Sequence, residues 1–114
     1  MKNYIQEGSI ITVTTPTGGV VSDAGLIVGS LFGVSLHSSA EGEALEVATE
    51  GVYRLPKVSA AVLAVGTRVA WDNTAKNINL PGAGRFPVGI ATEAAGNGTT
   101  IVAVRLDGVA TVAA

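Results

Sequence analysis

His37 is the one histidine of this chain, and Asp23, Ser35 and Ser38 lie near it in sequence. These are the residue types of nucleophilic catalysis, in which an imidazole takes a serine proton and a carboxylate orients the ring. The chain has no Gly-x-Ser-x-Gly elbow to expose such a serine. His37 therefore also reads as a strand-end residue facing water or an interface, where it could sense pH. Glu41, Glu43, Glu46 and Glu50 form an acidic run. Paired carboxylates can do acid–base work or bind calcium. Their spacing matches no calcium loop, and Glu46 and Glu50 fall on the polar side of an alternating segment, which reads as a solvated face.

Two other groups suggest ligand binding. Gly82-Ala83-Gly84-Arg85 resembles a loop that cradles phosphate, but such a loop must lie between a strand and a helix. Here Phe86-Pro87 and another strand pattern follow, so it reads as a hairpin loop. No Walker motif occurs, and P-loop nucleotide hydrolysis is excluded on that ground. Trp71, the one tryptophan, could stack on a ligand. With Thr67 and Val69 on its face, it reads instead as a core side chain whose indole N–H is tied to a neighbour.

The elements that carry these residues are strands. Ser9–Thr15, Leu26–Val28, Leu31–Leu36, Leu45–Thr49 and Val52–Leu55 show strand patterns broken by Gly or Pro. Thr67–Asp72, Ile78–Leu80, Pro87–Thr92 and Thr100–Leu106 do the same. Val20-Val21 reads as a short strand, and Val109–Val112 as a last one after an Asp107-Gly108 turn. Asn97-Gly98 is a hairpin signal. Gly33, inside a strand, predicts a bulge or a close backbone neighbour. Val58, Ala61, Val62 and Val65 fall at helical spacing between Pro56 and Gly66, so a short helix or helical turn is expected over residues 57–65. The fold class is all-β: a small antiparallel β-barrel or sandwich with at most one short helix near residues 57–65.

Composition sets the remaining bounds. The 114 residues make one domain, read as an N-terminal arm over 1–8 and a single β domain over 9–114. In the arm, Lys2, Asn3, Tyr4, Ile5 and Gln6 are the candidate contact residues, with Tyr4 and Ile5 as apolar anchors; a frayed terminus is the alternative. Hydrophobic residues are 47% but aromatics only 4% and charged residues only 14%, a composition that fits a surface partly covered by a partner. Net charge is −2, and the seven cations are scattered in sequence, which argues against nucleic-acid binding. There is no cysteine, hence no disulfide and no thiolate metal site. No cofactor is expected. No signal peptide is read at the start, and no apolar run approaches the roughly 20 residues of a membrane span.

Several segments, taken in order, resemble one family. They are Met1-Lys2-Asn3-Tyr4-Ile5-Gln6-Glu7-Gly8, Val28-Gly29-Ser30-Leu31-Phe32-Gly33-Val34, Ala48–Lys57, Gly66–Asp72, Val88-Gly89-Ile90-Ala91 and Val104-Arg105-Leu106. The chain is similar over nearly its full length to the DUF2190 group of small bacteriophage proteins, which are similar to capsid cement or decoration proteins. It departs from the pattern at Ala70, where the family often carries an aromatic. The resemblance implies a virion structural protein, not an enzyme, made in the bacterial host cytoplasm and bound to the capsid exterior. Its partner would be the major capsid protein, and it would act as a homo-oligomer, a dimer or trimer. The group has also been labelled a recombinase, which leaves a DNA-recombination protein and a small hydrolase as alternatives.

Overall fold

The computed structural model describes residues 8–113. Nine strands form among them: β1 (Ile10–Thr14), β2 (Gly25–Val28), β3 (Leu31–Ser35), β4 (Ala44–Ala48), β5 (Glu50–Pro56), β6 (Arg68–Asp72), β7 (Asn77–Asn79), β8 (Phe86–Ala91) and β9 (Ile101–Asp107). Alternation in the sequence decides which side chains turn inward. In β4, Leu45 and Val47 are buried while Glu46 between them is exposed. In β9, Val102, Val104 and Leu106 are buried while Ile101, Arg105 and Asp107 are exposed.

The strands make two antiparallel sheets, ordered β1-β4-β3-β2 and β5-β9-β8-β6-β7. The chain passes from the first sheet to the second at Thr49. That residue is buried, and its N–H and hydroxyl donate to the carbonyls of Ser9 and Gly8, both at 2.8 Å. The crossing point is thereby tied to the start of β1. The second sheet curls into a half barrel. Just past β5, Lys57 forms a parallel bridge with Ile78 of β7, which draws the two edges of that sheet together. Leu55, Val69, Trp71, Ile78, Val102 and Val104 belong to the core of this curl, and Phe32 and Val34 of β3 join it from the first sheet. A smaller cluster of Leu26, Leu45 and Val47 is covered by Val13, Val20 and Val28.

Inside β8 the register with β6 shifts between Val69 and Ala70. Val88 is the extra residue, and the bulge lets it turn into the core. Gly33 has the close neighbour its position suggested. A Cβ there would lie inside contact distance of Val47 Cγ1 and 2.7 Å from the Ala48 carbonyl oxygen.

The all-β expectation holds, but the helix expected over residues 57–65 does not form. Ala61 donates to Val58 in an isolated turn. Leu63 then pairs with Ala95 in an antiparallel bridge, each N–H donating to the other carbonyl at 2.8 Å. Ala61 and Leu63 are buried while Val62 and Val65 are exposed, so the buried period is two and not 3.6. Valines are weak helix formers, and a neighbouring loop supplies the hydrogen bonds a helix would have supplied.

Three loop readings also change. Val109–Val112 forms no strand; Asp107 Oδ1 caps the Val109 N–H, and Thr111 donates to the Ser30 carbonyl at 2.8 Å. The Pro81–Arg85 loop is no hairpin, because β7 and β8 lie on opposite sides of β6. Asn97-Gly98 does sit within the β8–β9 connection, as a turn in a longer loop. Val20 makes only a single bridge, to Ser39.

Candidate functional site

Of the residues that could have formed a catalytic set, His37, Ser35 and Ser38 are held by backbone groups, and Asp23 is exposed. His37 Nε2 accepts the Glu46 N–H at 3.2 Å, so its proton lies on Nδ1, 3.1 Å from the Ser38 carbonyl. Leu36 donates to the Glu46 carbonyl, so the imidazole continues the β3–β4 ladder by one bond. The buried Ser35 hydroxyl donates to the Val21 carbonyl and accepts the Ala24 N–H. Ser38 Oγ accepts the Ser22 N–H. These serine hydroxyls brace loop 21–24, and neither bonds to the imidazole of His37.

The acidic run is dispersed. Glu41 accepts the Gly18 N–H at 2.9 Å and holds the turn after β1. Glu46 lies on β4 in the first sheet, and Glu50 opens β5 in the second. Among the described residues, no three His, Cys, Asp or Glu gather where they could hold a metal ion. In the Gly82–Arg85 loop, the Arg85 guanidinium turns back onto the Leu80 carbonyl at 3.0 Å. The loop closes on itself and no helix follows it.

Trp71 is a core residue, 1% exposed. Its ring packs against Phe32 with centroids 5.2 Å apart, and its Nε1 donates to Asn73 Oδ1 at 3.2 Å. A Cβ on Gly25 would lie 2.8 Å from Trp71 Cη2, so β2 passes directly beside the ring. The turn after Trp71 is set by Asp72, whose Oδ1 accepts the N–H groups of Thr74 and Ala75 at 2.9 and 3.0 Å. The Ala75 and Thr74 N–H groups, helped by Arg85, hold the Asp72 carboxyl below the usual aspartate range.

Against this core lies an open cleft of about 1050 Å³, lined among others by Trp71, Asn73, Gly25, Glu41, Pro56 and Lys76. Its cation is already engaged, since Lys76 Nζ donates to Asn73 Oδ1 at 2.9 Å. The cleft offers room but no convergent reactive groups.

Two features were hidden in the sequence. Lys57, one of the scattered cations, is 3% exposed. Its ammonium points at four backbone oxygens: Val58 at 2.8 Å, Thr99 at 3.0 Å, and Ser59 and Gly96 at 3.3 Å. It clamps the segment after β5 to the β8–β9 loop. The second feature is the outward face of the second sheet. Strand pairing sets Val52 opposite Arg105, Arg105 opposite Ile90, and Ile90 opposite Arg68, with Arg54 opposite Ala103 and Pro56 opposite Ile101. Arg54, Arg68 and Arg105 are exposed on this face together with Val52 and Ile101. Only the pairing of distant strands reveals that grouping. The arm residues Lys2, Asn3, Tyr4, Ile5 and Gln6 lie outside the described residues.

The described residues thus form a two-sheet β scaffold with a broad exposed sheet face. The family model for the phage cement protein matches residues 5–106. The chain belongs to the phage cement protein family, whose role is structural and associated with the phage capsid. No curated protein and no solved structure matches it significantly.

Proposed function

We propose that this protein binds the outer surface of an assembled phage head and stabilises it, as a dimer or trimer that spans neighbouring copies of the major capsid protein. The observation that carries this reading is the family match across residues 5–106. The two-sheet scaffold is consistent with it. A module that binds only the assembled shell stabilises that shell by mass action, because its sites do not exist on free subunits. Residues 1–8 contribute to docking by adding a strand to a capsid edge, with Tyr4 and Ile5 as anchors and Lys2, Asn3 and Gln6 alongside them.

The test is reconstitution. DNA-filled heads of the same phage, made without this chain, are heated with and without the purified protein while DNA release is followed. Added protein raises the release temperature if the reading is right. An unchanged release temperature at saturating protein contradicts it. The mass of the free protein by size exclusion reports the oligomer separately.

A further inference from the structure

The charges of this molecule are scattered in sequence but sorted in space. Arg54, Arg68 and Arg105, three of its four arginines, stand exposed on the outward face of the second sheet. They lie on β5, β6 and β9. Arg105 and Arg68 belong to one row that crosses four adjacent strands from Val52 through Ile90. Strands are about 4.8 Å apart, so these two guanidiniums, two strands apart, rise from backbone positions roughly 10 Å apart, within reach of one partner surface. Among the described residues, Arg85 is the arginine whose guanidinium is engaged by a hydrogen bond. The same face exposes Val52 and Ile101, each 57% accessible, and Pro56 beside them. Of the carboxylates near it, Glu50 and Asp107 are paired across β5 and β9 at one end, and Glu93 Oε1 accepts the Ala103 N–H at 3.2 Å on the side of β9 away from β5. The remaining acidic run, Glu41, Glu43 and Glu46, belongs to β4 and the loop before it, in the other sheet.

We infer that this face is the one that docks, and that its partner is a protein surface of the capsid shell carrying carboxylates around an apolar patch. The inference rests on the capsid-binding reading above and specifies which surface performs it. Exposed arginine among exposed aliphatics is the composition of a protein interface, where the stem packs and the guanidinium finds carboxylates. Nucleic acid is the poorer match. Three cations, with Glu50 and Asp107 on the same face, release few counterions, and Val52 and Ile101 gain nothing from phosphate. A cationic face on a protein of net charge −2 also orients the approach, because the acidic first sheet is repelled by the surface that attracts the second.

The experiment measures binding of labelled protein to capsid shells of the same phage that lack it, by sedimentation over a range of salt concentrations. Wild type, an Arg54→Glu/Arg105→Glu double variant, Val52→Asp and Glu46→Lys are compared, with melting curves to check that each is folded. If the double glutamate variant does not fold, Arg54→Gln/Arg105→Gln replaces it. The inference expects wild-type binding to weaken as salt rises and the double variant to bind at least about 30-fold more weakly. It expects Val52→Asp to lose affinity as well, and Glu46→Lys to stay within about threefold of wild type. Wild-type binding with an undiminished double variant overturns the inference and leaves the capsid reading intact. Failure of the wild type to bind any shell overturns both. Equal affinity for duplex DNA, lost in the same double variant, overturns the protein partner. Loss of self-association in that variant, with shell binding unchanged, reassigns the face to contact between copies.

Discussion

Trp71 and Lys57 show how single residues hold this small fold. Trp71 joins the two sheets, because Phe32 and the close pass of Gly25 both come from the first. Trp71→Ala removes the largest buried side chain and should cost about 3–5 kcal/mol, a large share of the stability of a domain this size. Chemical denaturation measures it. Since Trp71 is buried, its emission should report unfolding; quenching by a small ligand in the folded state, through the cleft that Trp71 lines, would return it to the role of a binding platform. Lys57→Met keeps the stem and removes the donors of four carbonyls. It should cost about 2 kcal/mol or more, and faster amide exchange should concentrate in residues 57–60 and 96–100.

Asp72 gives a pH dependence at the same scale. Its pKa is lowered in the folded state, so the charged form is favoured by folding. That contribution is present above the ordinary aspartate value, near about pH 4, and is lost as the pH falls through the lowered folded value. Asp72→Asn should therefore lower the melting temperature at pH 7, and the gap to wild type should close as acid is added below about pH 4. A gap that stays constant down to pH 2 would mean that charge plays no part in the turn.

At the scale of elements, alternation and punctuation located the strands well. Glu46 between Leu45 and Val47, and Arg105 between Val104 and Leu106, already told inside from outside. What alternation could not supply was the pairing of distant strands. The segment Val58–Val65 has helical spacing of its valines, yet its fate was decided by Ala95, which takes Leu63 into a bridge. Val109–Val112 looks like a strand but meets Ser30 through Thr111 and no strand edge. The same limit hid the candidate surface: Arg54, Arg68 and Arg105 are far apart in sequence and close only through the β5-β9-β8-β6 order. Gly33 was legible, because a glycine within a strand signals close approach. Gly33→Ala should destabilise by about 2–3 kcal/mol through overpacking against Val47 and the Ala48 carbonyl. A thermal melt within a degree of wild type would show that β3 and β4 can move apart.

For the whole molecule, the family match gives a structural, capsid-associated role, and the fold supplies broad exposed sheet faces. The first sheet and the loop before β4 carry Glu41, Glu43 and Glu46, the second sheet carries the arginine face, and residues 1–8 precede β1. Docking through two such elements predicts separable losses. Deleting residues 2–7 should reduce head occupancy, and a melting curve checks that the shortened chain is folded. Unchanged occupancy would remove the arm from the account without touching the arginine face. His37→Ala, by contrast, should cost at most about 1 kcal/mol of stability through its lost bond to the Glu46 N–H and leave occupancy as it was.

The central claim is that this chain binds assembled heads. Purified protein is mixed with expanded heads that lack it and, in parallel, with unassembled capsid protein, and the copies retained after sedimentation are counted. The account predicts saturable retention on heads at a fixed ratio to the capsid protein, and none on free subunits. Absence of retention on heads, or equal binding to free subunits, would contradict it.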